Sequence, residues 1–115
     1  NESKVMHLIG NVEGKVAILI DDMIDTGGTI VKAAQSIIHN GAKAVYACCT
    51  HAVLSGNAID QIRESALSEL VVTNTIPPSK EAQMVDKIKV LDVSPVLGEA
   101  IRRIYRDESV SSLFI

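Results

Sequence analysis

Aromatic residues are scarce in this 115-residue chain: it contains no Trp, and Phe and Tyr together make up 3% of the sequence. A core of this composition must consist of Val, Ile, Leu and Ala, and that aliphatic bias is typical of parallel strands covered by helices. The net charge is −3, and no run of basic residues occurs. Since nucleic-acid backbones are bound by clustered cations and bases by aromatic rings, we expect no nucleic-acid partner.

Long apolar runs, an initiator Met and spaced cysteines are also lacking. No apolar stretch approaches the roughly 20 residues of a membrane helix, so no membrane association is expected. The polar start shows no signal-peptide pattern, and the missing Met suggests a fragment or a processed chain. Cys48 and Cys49 are adjacent, which would strain a disulfide, so we predict reduced thiols and a cytoplasmic location. The length predicts one domain over residues 1–115.

Short aliphatic runs alternate with helical patterns, and this alternation predicts an α/β fold with a parallel sheet. The clearest strand is 16–20, whose five consecutive apolar residues predict burial on both faces. A loop over 21–28 should follow it, and Ser55 or Asn57 should lie near the cap of a second helix. Further strands are predicted at 44–49, 70–73 and 88–93, with a possible edge strand at 4–9. Helices are predicted at 29–40, 58–65 and 94–106, the last with Val96, Leu97, Ala100, Ile101, Ile104 and Tyr105 on its apolar side.

The informative segment is 21–29, with the sequence Asp-Asp-Met-Ile-Asp-Thr-Gly-Gly-Thr. It joins the end of a strand to the start of a helix, which is where open α/β sheets bind ligands. Gly27 and Gly28 allow successive backbone N–H groups to converge, and the helix start adds unpaired N–H groups and a positive dipole end. Thr26 and Thr29 add hydroxyl donors. These features predict a phosphate cradle that needs no lysine.

Three carboxylates, Asp21, Asp22 and Asp25, accompany this cradle. They can accept hydrogen bonds from sugar hydroxyls, and Asp21 and Asp22 can hold a hydrated Mg²⁺ through water, although no direct metal ligand is predicted. A ligand with a phosphate at one end and a diol at the other, such as ribose 5-phosphate, satisfies both halves. A plain turn with a helix cap needs one Asp and one Gly, so three acids, two glycines and two threonines within nine residues favour a binding site.

Segment 21–29 resembles the phosphoribosyl-diphosphate loop of type I phosphoribosyltransferases and ribose-phosphate diphosphokinases. Segments 50–56, 72–77, 99–103 and 108–114 resemble the C-terminal domain of the diphosphokinases, so the resemblance covers nearly the whole chain. It implies a Rossmann-like phosphoribosyltransferase-type domain, with a mainly parallel sheet flanked by helices. It also implies that an N-terminal domain, with most of the ATP site, a metal-binding His and a mobile basic loop, lies upstream and is absent from this chain.

The activity implied by the resemblance is transfer of a diphosphoryl group from ATP to the C1 hydroxyl of ribose 5-phosphate, giving phosphoribosyl diphosphate and AMP, with Mg²⁺. The ribose hydroxyls would be held by Asp21, alone or with Asp22. The 5-phosphate would be held by Asp25, Thr26, Gly27, Gly28 and Thr29. The family forms homo-oligomers. We expect this chain alone to bind sugar phosphate without completing the reaction, so no catalytic residue is assigned within it.

Several assignments stay open at this stage. The family's tail contributes to a subunit interface and to a regulatory phosphate or ADP site, which the resemblance transfers to Ser109, Ser111 and Phe114. Segment 73–75 follows a strand and is read either as a turn with local hydrogen bonds or as a ligand contact. Two other functions are considered. A phosphoribosyltransferase would need a hood domain and a nucleobase pocket, and a non-catalytic regulatory subunit would be favoured by an altered loop, whereas this loop is intact.

Overall fold

A computed structural model describes residues 8–114 as four strands alternating with helices. The sheet has the order β1-β2-β3-β4, and each neighbouring pair is parallel, which confirms the predicted α/β class. Within the described residues, no helix is long and apolar enough to cross a membrane. The strands are β1 (Val16–Ile24), β2 (Ala44–Ala52), β3 (Glu69–Thr73) and β4 (Ile88–Leu91). The helices are α1 (Gly28–His39), α2 (Ala58–Arg63), α3 (Lys80–Gln83) and α4 (Ser94–Tyr105), followed by a 3₁₀ turn (Ser111–Phe114).

The core lies between the helices and one face of the sheet. Because parallel crossovers are right-handed, consecutive strands in this order place their connecting helices on the same face. The buried side of α1 and the buried side of α2 accordingly meet the same set of strand residues. That shared core includes Ile30, Ala34 and Ile37 from α1, Ile59 and Ile62 from α2, and Val45, Ala47, Leu70 and Val72 from the sheet.

Strand β1 differs from its prediction in burial and in length. Ile18 is 62% exposed and Ile20 is 82% exposed, whereas Ala17 and Leu19 between them are partly buried against the core. The prediction of burial on both faces was therefore wrong for the described chain, because no described residue covers the second face of β1. The strand also continues to Ile24, so the first four residues of the predicted loop are strand.

Smaller differences concern the second half of the chain. Helix α3 was not predicted; the Ser79 side chain caps it by accepting a hydrogen bond from the Ala82 N–H at 3.1 Å. Helix α4 begins at Ser94, as predicted, and has Val93 as its N-cap. Of the possible edge strand, residues 4–7 lie outside the described residues, and residues 8 and 9 belong to no strand.

Helix α4 has no buried residue. The predicted helix is confirmed, but its apolar side does not pack against the core of the described chain: Ile101, Ile104 and Tyr105 are all exposed. The radius of gyration is 16.8 Å, compared with about 13 Å for a compact domain of similar length. The described chain therefore presents two apolar surfaces, the open face of β1 and one side of α4.

The two cysteines are free thiols, as their adjacency predicted. Cys49 is buried in the core, and this burial raises the pKa of its thiol. A raised thiol pKa lowers the thiolate fraction and with it the reactivity of the side chain. The structure thus gives these cysteines a packing role.

Candidate functional site

Loop 21–29 lies where β1 ends and α1 begins, as the sequence predicted. Residues 21–24 form the end of the strand, and Gly27 is the N-cap of the helix. An open pocket of about 210 Å³ lies against this junction. Two of the seven predicted site residues, Asp22 and Gly28, are not among its lining residues. The five that line it are Asp21, Asp25, Thr26, Gly27 and Thr29, together with three apolar neighbours.

The start of α1 is open to an anion. Gly27 has φ +82°, a left-handed conformation that glycine adopts without strain. No side chain caps α1, and its first turn contains no acidic residue. The first N–H groups of the helix therefore have no side-chain partner at a point where Gly27 and Thr29 line the pocket. Unpaired N–H groups and the positive end of the helix dipole favour a bound phosphate or carboxylate.

The loop after β2 supports loop 21–29 from the side. The Val53 and Leu54 N–H groups both donate to the Ile24 carbonyl at 3.1 Å, and the Ser55 N–H donates to the Asp25 carbonyl at 2.9 Å. The Ser55 hydroxyl also donates to the Asp25 carboxylate. The sequence predicted only a helix-capping position for Ser55. Its contact with Asp25 spans thirty positions along the chain, and no local sequence pattern predicts such a contact.

The charges of the pocket are all negative. No Lys or Arg occurs between Lys15 and Lys32, whereas three carboxylates lie in loop 21–29. Asp21 uses one carboxylate oxygen to accept a hydrogen bond from the Asp22 N–H at 2.8 Å. The charge of a bound phosphate would therefore have to be met by backbone N–H groups, by hydroxyls and by a cation.

The donor set fits Mg²⁺ held partly by substrate. Residues 8–114 contain no group of three His, Cys, Asp or Glu side chains placed to hold a metal ion. Mg²⁺ is commonly bound by one or two carboxylates, by substrate phosphates and by water rather than by a cage of protein ligands. Asp21 and Asp22 are both exposed and adjacent. They match that mode through bound water.

Side chains at the carboxyl ends of β2 and β3 bond mainly to each other. The Thr73 hydroxyl donates to the Thr50 carbonyl at 2.6 Å, and His51 Nδ1 lies 2.8 Å from the Thr75 hydroxyl. The Thr75 hydroxyl also lies 3.2 Å from the Thr50 carbonyl. Within segment 73–75 the Thr75 N–H donates to the Thr73 hydroxyl at 3.3 Å, which is a local hydrogen bond, whereas the contacts with Thr50 and His51 join the segment to β2. The reading as a ligand contact stays a prediction.

Asn74 connects β3 to the start of α4. Its side chain donates to Asp92 at 2.9 Å and accepts from the Val93 N–H at 2.9 Å, while the Ser94 N–H donates to Asp92 at 2.9 Å. Hydrogen bonds from the side chain and the N–H of Ser94, with a further one from Asn74, lower the pKa of Asp92. These contacts fix the junction of β4 and α4 next to the carboxyl edge of the sheet.

The tail is held by charged groups on α4. Glu99 pairs with Arg102 and Arg103, and hydrogen bonds from these two arginines lower the pKa of Glu99 to about 2. Arg103 also donates to the Ser109 carbonyl at 3.1 Å and to the Ser112 hydroxyl. The structure thus shows that Arg103 holds the tail through contacts with Ser109 and Ser112.

The predicted regulatory residues lie within this tail. The hydroxyls of Ser109 and Ser111 are 2.9 Å apart, and Phe114 is exposed in the 3₁₀ turn that follows. The structure therefore brings the two serines together and leaves the phenyl ring on the surface of the described chain.

The chain matches a known protein family over its whole length. The family model described as phosphoribosyl synthetase-associated domain matches residues 1–115. Ribose-phosphate pyrophosphokinase of Bacillus cereus is 59% identical over 114 residues, which are 99% of this chain and 36% of that protein. The protein of the same name from Campylobacter jejuni is 58% identical over all 115 residues, again 36% of its length.

A solved structure agrees with these relatives. The crystal structure of phosphoribosylpyrophosphate synthetase from Mycobacterium smegmatis matches with a TM-score of 0.86 and 38% identity, covering 92% of this chain and 35% of that one. The chain thus spans about a third of the length of the relatives it matches. The predicted resemblance to ribose-phosphate diphosphokinases is confirmed, and the chain belongs to the phosphoribosyl synthetase-associated domain family.

Proposed function

We propose that this chain is the ribose-5-phosphate-binding part of a ribose-phosphate diphosphokinase. The observation that carries the proposal is the uncapped start of α1, where Gly27 and Thr29 line a pocket beside the Asp21 carboxylate. An anion-binding end next to a hydroxyl-binding end suits a sugar phosphate. The names of the relatives, ribose-phosphate pyrophosphokinases, support this substrate.

Each half of the ligand has its own partners in this proposal. The 5-phosphate accepts hydrogen bonds from the N–H groups at Gly27, Gly28 and Thr29 and from the hydroxyls of Thr26 and Thr29. The ribose hydroxyls donate to Asp21, alone or with Asp22. Asp25 contributes through its backbone, since its carboxylate already accepts the Ser55 hydroxyl.

The proposed reaction joins this sugar phosphate to ATP. The C1 hydroxyl oxygen attacks the β-phosphorus of ATP, the bond from that phosphorus to the α-phosphate oxygen breaks, and AMP leaves as the hydroxyl proton is lost. Bound Mg²⁺ would supply charge neutralisation for the phosphates. The chain's own part is to bind and orient the ribose 5-phosphate. The ATP site is proposed to lie mostly in an N-terminal domain outside this chain, which alone would bind the sugar phosphate without completing the transfer.

The setting of the enzyme and its regulation are part of the same proposal. The free thiols of Cys48 and Cys49 suit the reducing cytoplasm. Assembly as a homo-oligomer would cover the exposed apolar sides of β1 and α4. A regulatory phosphate or ADP site is proposed at Ser109, Ser111 and Phe114, because Arg103 holds this segment near its own positive charge.

The two alternative functions have less support. Within residues 8–114, no segment forms a hood over the pocket, as a phosphoribosyltransferase would need. A non-catalytic regulatory subunit is not favoured either, since every acid, glycine and threonine of loop 21–29 is present. The second alternative predicts the same fold without ribose-5-phosphate binding, so a binding measurement separates it from the proposed function.

The test uses a loop variant and a matched control in the longest native polypeptide that contains these residues. Asp22→Asn with Thr26→Ala removes one charge and one hydroxyl from loop 21–29. Asp86→Asn with Ser68→Ala makes the same changes at exposed positions that precede strands, at the opposite edge of the sheet. Calorimetric titration with ribose 5-phosphate and Mg²⁺ should show at least about ten-fold weaker binding in the loop variant. Equal affinities in both variants, or no binding by the unaltered protein, would contradict the proposal.

A further inference from the structure

Ser55 makes two contacts with Asp25, one from its backbone and one from its side chain. Its N–H donates to the Asp25 carbonyl at 2.9 Å, and its hydroxyl donates to the Asp25 carboxylate. A hydrogen bond to a charged acceptor is stronger than one between neutral groups. Ser55 thus fixes both the main chain and the side chain of a residue next to Thr26 and Gly27.

The Ser55 hydroxyl is not engaged in capping helix α2. The N-cap of α2 is Asn57, and no side chain caps that helix. Ser55 contributes to the start of α2 only through its carbonyl, which accepts from the Ala58 N–H at 3.1 Å. The Ser55 hydroxyl is therefore not needed for the start of α2, and its observed partner is Asp25.

The backbone before Ser55 is held in an unusual conformation that makes this contact possible. Leu54 has φ +49°, which is uncommon for a residue with a side chain. Strained backbone of this kind is maintained by its surroundings and clusters at functional sites. Here the turn at Leu54 lets the N–H groups of Val53 and Leu54 reach the Ile24 carbonyl and brings Ser55 to Asp25.

Contact with Ala58 completes the support of Gly27. The fully buried Ala58 lies beside Gly27, and a Cβ added at Gly27 would lie 3.7 Å from the Ala58 Cβ. The segment from Ser55 to Ala58 thus touches loop 21–29 at two successive points. These contacts lie outside the pocket that the ligand would occupy.

We infer that Ser55 is a positioning residue for the ribose-5-phosphate site, acting through Asp25. Its hydroxyl holds the Asp25 carboxylate, which would otherwise be free to approach and repel the bound phosphate, and its N–H fixes the turn that presents Gly27. This inference rests on the proposed function. It adds a residue of the loop after β2 that neither lines the pocket nor was assigned a binding role.

Three variants test the inference in the longest native polypeptide that contains these residues. Ser55→Ala removes the hydroxyl and keeps the backbone contact, Ser55→Thr restores a hydroxyl, and Ser68→Ala is the control. Ser68 is exposed and precedes β3 at the opposite edge of the sheet, and its N–H, which the substitution keeps, donates to the Val45 carbonyl at 2.8 Å. Loss of a charge-assisted hydrogen bond changes an equilibrium on the order of ten-fold.

The expected result is selective. Ser55→Ala should raise the KM for ribose 5-phosphate about ten-fold, with kcat and the KM for ATP nearly unchanged, and Ser55→Thr should recover most of the loss. Amide hydrogen exchange without ligand should become faster in Ser55→Ala within 25–29 and remain unchanged elsewhere. Ser68→Ala should leave every one of these quantities unchanged.

The contrary results are distinguishable. If the unaltered protein uses ribose 5-phosphate and Ser55→Ala has an unchanged KM, or if exchange within 25–29 is unaffected, the positioning role is refuted and the proposed function stands. If the unaltered protein neither binds nor uses ribose 5-phosphate, the proposed function fails and the inference fails with it.

Discussion

Loop 21–29 and helix α4 both follow the carboxyl end of a parallel strand, but they are stabilised in different ways. The loop contains the buried Ile24 and is followed directly by the buried Ile30, and backbone groups of the loop after β2 donate to it. Helix α4 has no buried residue in the described chain. Its tail is held by Glu99, Arg102 and Arg103, whose side chains are partly exposed.

The two kinds of contact respond differently to salt and pH. Backbone hydrogen bonds around a buried core do not titrate and are little affected by salt. Exposed ion pairs contribute little stability and are screened by salt. The proposed substrate site therefore lies on a segment held by backbone hydrogen bonds beside the core, and the proposed regulatory tail lies on one held by partly exposed ion pairs.

The largest expected effect comes from truncating equivalent side chains in the two regions. Ile62→Ala in α2 removes a fully buried side chain and should lower the free energy of unfolding by about 2–5 kcal/mol. Ile101→Ala in α4 removes a mostly exposed one and should change it by no more than about 0.5 kcal/mol. Urea denaturation of the 115-residue chain measures both. Equal losses would show that the apolar side of α4 is packed in solution, and the comparison would fail.

Substitutions at two glycines distinguish an effect on backbone conformation from an effect on ligand binding. Gly27 and Gly14 have φ +82° and +70°, and an added Cβ would clash at neither position. Gly27→Ala and Gly14→Ala should therefore each cost about 1–2 kcal/mol of stability, because a side chain is disfavoured in this conformation. Only Gly27→Ala should also weaken ribose-5-phosphate binding, since only Gly27 lines the pocket. Denaturation and calorimetry test the two effects separately, and equal binding by both variants would exclude a role for the Gly27 backbone.

The smallest expected effect is a pH response of the tail. The pKa of Glu99 is lowered from 4.5 to about 2 by Arg102 and Arg103. Because the pKa of Glu99 is lowered in the folded state, the ion pairs of Glu99 stabilise the fold fully above pH 4.5, and this contribution is lost as the pH falls toward 2. NMR shifts of the Ser109 and Ser112 amides should change in that window.

Two comparisons check the origin of this response. In Glu99→Gln the transition with a midpoint near pH 2 should disappear, because the carboxylate that titrates there is gone. The pH dependence of the Gly27 and Gly28 amide shifts should be the same in Glu99→Gln and in the unaltered protein, because no bond joins Glu99 to loop 21–29 in the described residues. A tail response that persists in Glu99→Gln would assign it to another group.

The sequence predicted the elements of the fold well because their signals are local. The strand and helix on either side of loop 21–29 were located to within a few residues, since an apolar run, two glycines and helical spacing occur there in succession. Burial was predicted less well. The run 16–20 looks like a strand covered on both sides, but whether Ile18 and Ile20 are covered depends on residues far away in the chain or outside the described part.

In the site, too, the residues of a local motif could be predicted from the sequence, whereas contacts between distant segments could not. Five of the seven residues that the motif predicted line the pocket, because their chemistry is concentrated in nine positions, whereas the three apolar lining residues were not predicted. The contact of Ser55 with Asp25 could not be predicted, since it depends on the pairing of β1 with β2 and on the backbone turn at Leu54. The tail contacts of Arg103 were missed for a similar reason, because they require the chain to turn back after α4.

The central claim is that loop 21–29 binds ribose 5-phosphate, and amide NMR during titration with ribose 5-phosphate and Mg²⁺ tests it most directly. The account predicts saturable shifts that are largest at Gly27, Gly28 and Thr29, with ribose alone producing much weaker ones because it lacks the phosphate. Shifts centred elsewhere in a folded protein, or shifts of equal size with ribose alone, would contradict the claim.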